Sequence, residues 1–204
     1  MGKVITELSV SLDGFVAGPN DGPELPLGEG GERLFAWYSG GDTALPLRGT
    51  DMVFHVSRAS ADYLLPGWEA QGAMVTGRRM FDIAGAWGGK PPGGPPCFVV
   101  THAAPQEWVK AGSPFTFVTD GVESAIGQAQ AAAGDKIVSV SSASIMQQCI
   151  AARLLDEVWI DLVPVLLGDG VRLFDRLGVT PLDLERIGVV AAPDVTHLRF
   201  RIVR

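Results

Sequence analysis

Three stretches of this 204-residue chain place small, hydroxyl or basic residues directly behind an apolar run. In "MVTGRRMF" (74–81) an apolar strand would end at Thr76, Gly77 permits a tight turn, and a helix would begin at Arg78-Arg79. Helix N-terminal N–H groups attract anions, and two guanidiniums beside them could grip a phosphate through paired donors. The same dipeptide also reads as a solvated arginine pair at a helix start. In "FVVTHAAP" (98–105), Thr101 and His102 put a hydroxyl and an imidazole at the carboxyl end of a buried strand, where open α/β sheets bind ligands. Taken alone, those two would be ordinary polar exit residues. "KIVSVSSASIMQQC" (136–149) runs a strand into a helix through Ser141-Ser142-Ala143-Ser144, with hydroxyls where phosphate-binding turns commonly use glycine. Three such ends on one rim are more specific than any one of them.

The elements that must position these residues follow from pattern. Lys3 to Leu12 alternates as a strand and stops at Asp13-Gly14. "GPNDGPELPLGEGG" (18–31) reads as a mobile, acidic surface loop, and "ERLFAWYS" (32–39) as a short helix with an aromatic face. Residues 57–71 suit another helix, interrupted by Pro66 or ending near it. Strands are expected at 72–77, 97–101, 115–118 and 136–140, with helices over "RRMFDIAG", "GVESAIGQAQAAAG" and "SIMQQCIAARLL". "GAWGGKPPGGPP" (85–96) reads as a long loop without regular structure. "DEVWIDLVPVLL" (156–167) suggests a long strand, and "LDLERIGVV" with "THLRFRIVR" an antiparallel hairpin. Alternation of strands and helices predicts a three-layer α/β domain over 1–204, its mostly parallel sheet flanked by helices and edged by that hairpin.

Composition narrows the function. With 47% hydrophobic and 19% charged residues the chain suits a packed core, and a formal net charge of −7 disfavours non-specific nucleic-acid binding. Cys97 and Cys149, each inside an apolar run, read as buried thiols, and the three histidines lack partners at metal-ligand spacing. The first residues carry no signal-peptide pattern and no apolar run approaches membrane length, so a cytoplasmic protein with no membrane partner is expected.

"SVSLDGFVAGPNDG", "VTGRRMFD", "FVVTHAAP" and "CIAARLLDEVWIDLVPVLLGDGVRLF" occur in the order seen in the dihydrofolate reductase-like superfamily. Over nearly its whole length the chain resembles the reductase (C-terminal) domain of the bifunctional riboflavin-biosynthesis protein and its stand-alone relatives. That resemblance implies a mostly parallel sheet of eight or more strands, NADPH along the strand ends, hydride transfer to a small heterocyclic or carbonyl substrate, and a homodimer. It places Gly77 and Arg78 at the adenosine 2′-phosphate, Arg79 and Met80 near the pyrophosphate, and Thr101 and His102 beside the adenosine phosphate. Val16, Ala17 and Gly18 fall near the nicotinamide. The family's Gly-Gly falls on Ser141-Ser142, at the head of the turn that continues through Ala143, Ser144 and Ile145. Serine restricts the unusual backbone that glycines would adopt, although its hydroxyls could hold phosphate directly.

The proton source is less marked. Residues 33–39 contain no acid, with Glu32 at their edge, so folate reduction is not indicated. Asp13 could orient substrate or relay a proton, or simply form the turn before Gly14. Phe35, Trp37 and Tyr38 could line a flat substrate's pocket or form the helix's core face. The rival to a reductase is a non-catalytic ligand-binding protein that kept the fold and lost the glycine-dependent cofactor site.

Overall fold

A computed structural model describes residues 2–178 and 181–204. The chain opens with β1 (Val4–Ser11) and β2 (Phe15–Ala17), then a 3-10 segment over Gly31–Ser39. A hairpin of β3 (Thr43–Pro46) and β4 (Val53–Val56) leads into α1 (Arg58–Ala70), β5 (Gln71–Gly77), α2 (Arg78–Ile83) and β6 (Cys97–Val100). There follow β7 (Phe115–Val118), α3 (Val122–Ala133), β8 (Ile137–Val140), α4 (Ala143–Ala151) and β9 (Glu157–Val163). The short β10 (Val171–Arg172) precedes the hairpin of β11 (Leu184–Ala191) and β12 (Thr196–Ile202).

Eight strands form the central sheet in the order β11-β12-β9-β1-β8-β5-β6-β7. From β9 to β7 every neighbouring pair is parallel, and β12 and β11 add an antiparallel edge. The three-layer, mostly parallel sheet with a closing hairpin is the architecture expected from the alternating pattern.

The two faces of the sheet separate because successive strand side chains point to opposite sides. Val4 and Val10 of β1, Val75 of β5 and Val138 and Val140 of β8 pack against α3 and α4. On the other face Met74, Cys97 and Val99 pack with Phe81 of α2, and Val163 packs with Leu64 of α1 and Leu34 of the 3-10 segment. Cys97 and Cys149 are both buried and unpaired, and burial pushes each thiol up to about 12, so neither is a ready nucleophile.

Several boundaries differ from expectation for local reasons. α1 runs straight through Pro66, and the neighbouring Gly67 lets it press on the sheet: a Cβ there would come within 2.8 Å of the Trp159 ring. β9 ends at Val163, since Pro164 has no N–H to continue the ladder. Its apolar content belongs to a central strand between β1 and β12. "ERLFAWYS" winds as a 3-10 segment. The start of the Gly/Pro stretch is not irregular: Gly85 to Gly89 all take left-handed φ of 48° to 85°, one helical turn of inverted hand. Residues 18–31 fold back on themselves, with the Gly18 N–H on the Leu27 carbonyl at 2.9 Å and the Glu29 N–H on the Pro19 carbonyl at 2.9 Å.

Candidate active site

The carboxyl ends of β5, β6 and β8 meet on one rim, and a cleft of about 500 Å³ opens there. Gly77, Arg78, Arg79, Thr101, His102, Ser144 and Ile145 contribute to its walls. Gly77 is required by space and not by backbone angle, since its φ is −91°. A Cβ on it would stand 3.2 Å from Ser142 Oγ and 3.3 Å from Ile145 Cγ1. The absence of that carbon lets the β5 exit close against the first turn of α4.

Arg78 is committed in several directions. Its Nε donates to both carboxylate oxygens of Asp82 at 2.8 and 2.9 Å, and its NH1 donates to the Ala103 carbonyl at 2.8 Å. Thr101 Oγ1 donates to the same carbonyl at 2.9 Å, so the β5 and β6 exits are tied at one point. Arg79 turns to the 18–31 loop, donating through NH2 to the carbonyl and the carboxylate of Asp21, each at 2.7 Å. The two guanidiniums therefore do not form one paired grip: one braces the cleft and the other holds the loop.

The serine turn takes ordinary backbone. Ser142 caps α4 with φ −140° and ψ 128°, and neither serine adopts a positive φ. A Cβ is thus accommodated at both positions. The Ser142 and Ser144 hydroxyls lie 3.2 Å apart, beside the first turn of the nine-residue α4. Hydroxyls, unpaired helix N–H groups and a nearby guanidinium make a donor set that fits phosphate. Ser141 faces the other way, and its buried Oγ has no hydrogen-bond partner among the described residues, like Thr76 Oγ1 on the adjoining strand.

Behind the cleft, on the sheet face that carries α1, lies a second cavity of about 230 Å³. Ser141, Ser139, Met74 and Glu7 contribute its floor, and Phe35, Tyr38, Phe54, Trp68 and Trp87 its walls. Tyr38 stacks on Trp37 at 3.8 Å and leans on Phe54 at 4.5 Å. Burial, followed by the charges of Asp161 and Glu7, holds the Tyr38 phenol well above its usual range. Phe35 and Tyr38 line this cavity. Trp37 does not: it is buried in the core beneath, donating from its indole to Ser9 Oγ at 3.2 Å. Met80 lines this inner cavity, not the outer cleft.

The acid in the inner cavity is Glu7, which the sequence reading passed over. Its Oε1 is sealed from solvent and has no hydrogen-bond partner among the described residues. Burial first, then the negative charge of Asp161, pushes its pKa up to about 8, while Arg199 and the Trp68 indole pull the other way. The signal was present in "TELSVSL": Glu7, Ser9 and Ser11 recur at every second position, a polar stripe alternating with Leu8, Val10 and Leu12.

Asp13 has a different environment. Ser11 Oγ donates to it at 2.5 Å, and the N–H groups of Leu167 and Gly168 donate at 3.2 and 2.7 Å. These bonds, the serine's foremost, hold its carboxyl down to about 2. The ionised group latches the β1 exit to the segment before β10. Val16, Ala17 and Gly18 sit on β2 and its exit, paired to β10 and outside the residues lining either cavity.

The family model described as RibD C-terminal domain matches residues 2–198. No curated protein sequence matches the chain. Among solved structures, a Shewanella sp. PV-4 protein assigned to riboflavin biosynthesis superposes with a TM-score of 0.71 at 20% identity, covering 99% of both chains. Dihydrofolate reductase from Enterococcus faecalis, solved with NADP(H), gives 0.60 at 11% identity over 98% of this chain and 96% of that one. A pyrimidine reductase-like protein from Corynebacterium diphtheriae gives 0.62 at 11% identity over 100% and 92%. The fold is dihydrofolate reductase-like.

Proposed function

The chain belongs to the RibD C-terminal domain family, and from that premise we propose that it is an NADPH-dependent reductase acting on a small heterocyclic or carbonyl substrate. Family membership supports a reductase-type function over a non-catalytic binding role. The observation that carries the reading is that consecutive residues line the two cavities. The turn that ends β5 contributes Gly77, Arg78 and Arg79 to the outer cleft, and the next residue, Met80, to the inner one. A dinucleotide along the strand ends would have its phosphates in the first and its reactive ring beside the second.

NADPH, when bound, supplies the hydride. The chain's own residues hold and orient. We assign the Ser142 and Ser144 hydroxyls with the first turn of α4 to the pyrophosphate, and Arg78 with His102 to the 2′-phosphate that distinguishes NADPH from NADH; Ser144, Arg78 and His102 line the outer cleft. The aromatic walls of the inner cavity exclude water around the reacting atoms. Calorimetric titration tests this: NADPH should bind more tightly than NADH, and Arg78→Ala should remove about tenfold of that preference. Equal affinity for the two cofactors, or none for either, would reject it.

We also place the protein in the cytoplasm as a homodimer. Two unpaired cysteines fit a reducing compartment, and the described residues include no helix long and apolar enough to cross a membrane. Light scattering tests the dimer.

A further inference from the structure

The inner cavity has an acid in its floor and no cation in its lining. Glu7 projects from β1 opposite Trp159 of β9, which is in turn opposite Arg199 of β12. The guanidinium is therefore two strands away, and it is held there through NH2 and two rings, its buried Nε having no hydrogen-bond partner among the described residues. It lies 3.8 Å from the Trp159 ring centre and 4.2 Å from that of Tyr63, and donates to the Tyr63 carbonyl at 3.1 Å. Asp161 is bound to His197, and Tyr38 and Tyr63 are neutral phenols raised by burial. No group facing Glu7 from the packed elements pairs with it as an ion. A carboxylate with one oxygen sealed and unpartnered is costly, and a proton on the group removes most of that cost.

We propose that the inner cavity takes a flat, uncharged ring bearing a carbonyl or imine acceptor, and that Glu7 is the protonated acid that meets this acceptor. The proposal deepens the reductase reading and rests on it for the reductant. About 230 Å³ between aromatic walls admits a ring but leaves little room for a charged tail, and an anion would find no counter-charge there. Reduction of the C=O or C=N bond adds two electrons and two hydrogens. The hydride for carbon comes from a reduced nicotinamide, the reductant under the reading above. The heteroatom takes the proton of Glu7, using the π electron pair to form its new O–H or N–H bond. Glu7 is left as a carboxylate and is recharged from solvent.

Two measurements on the whole protein test this without turnover. In protein labelled with carbon-13 at glutamate carboxyls, the signal lost in Glu7→Gln should titrate with a midpoint near about 8; a midpoint below about 6 overturns the proposal. If Glu7→Gln does not fold, Glu7→Asp assigns the signal equally well. Quinolin-2-one, a neutral lactam, should bind at about pH 6.5 and lose at least about tenfold in affinity by about pH 9.5. Quinoline-2-carboxylate, the matched anion, should not compete with it. Glu7→Gln, which keeps a donor, should bind the lactam with no such pH dependence. Failure of the lactam to bind, pH-independent binding by the native protein, or equal binding of the anion overturns the substrate class. NADPH titration beside these separates the two readings. A high Glu7 midpoint with lactam binding and no NADPH affinity rejects the reductase alone; NADPH affinity with an ordinary Glu7 midpoint rejects this inference alone.

Discussion

Asp161 Oδ1 and His197 Nδ1 stand 2.6 Å apart across the antiparallel β9–β12 pair, both fully buried. The other ring nitrogen is 2.9 Å from Ser60 Oγ, in the first turn of α1, where Ser57 accepts from the Ser60 N–H. Serine, histidine and aspartate in a row have the composition of a nucleophilic triad, but Ser60 is 1% exposed and no substrate can reach it. The row clamps a helix to the sheet that carries the candidate acid. His197→Ala should lower unfolding free energy by about 3 kcal/mol in urea denaturation, through the lost bonds and the void left behind.

Stability should also depend on pH through Glu7. Its pKa is raised from 4.5 to about 8 in the folded chain, so between those values the folded state binds a proton that the unfolded state has released. The contribution is fully present below about 4.5 and is lost as pH rises through about 8, by up to about 1.4 kcal/mol per pH unit at the steepest. Urea melts across that window should show the native protein losing stability relative to Glu7→Gln as pH rises. Asp161→Asn removes a charge that raises the Glu7 pKa, and should move the window's upper edge downward.

Asp13 should behave as a latch. Removing it by Asp13→Ala deprives the Leu167 and Gly168 amides of their acceptor. Hydrogen exchange at those two amides should accelerate by at least about tenfold, with β1 amides unchanged. Unchanged protection at both would show that the latch is redundant.

Ser141 presents a trade between stability and ligand. Its buried hydroxyl has no partner, so Ser141→Ala should raise unfolding free energy by about 1 kcal/mol while weakening whatever occupies the inner cavity. Paired denaturation and lactam-binding measurements check the opposite signs.

How much of this the sequence disclosed depended on whether the information was local. α3 could be read with nearly its observed ends, because Gly121 and Gly134 bracket an alanine-rich apolar face. The β11–β12 hairpin was equally plain from its alternation. The β3–β4 hairpin was not: each strand is four residues long, and Pro46 breaks the pattern. The rim of the outer cleft was legible because each strand exit announces itself in its own few residues. The inner cavity was not, since Glu7, Phe35, Trp68 and Trp87 come from four separate segments. Phe35, Trp37 and Tyr38 could be read either as pocket lining or as a core face, and how the 3-10 segment divides them between the two is not written in their spacing. Arg78 and Arg79 looked like a pair because adjacency in sequence says nothing of Asp82 and Asp21, their actual partners.

The inverted turn at Gly85 to Gly89 has a bearing on how the inner cavity could be reshaped. Ala86 and Trp87 are L-residues held at φ of 51° and 48°, each at a cost of roughly 1–2 kcal/mol. Trp87 is kept in place by contacts with Phe81 and Phe115. One wall of the inner cavity is thus hung from a strained, glycine-flanked segment and not from the sheet. Substitutions that relax that segment would widen or narrow the cavity and gain stability. The floor with Glu7, and the cleft beyond it, would stay unchanged.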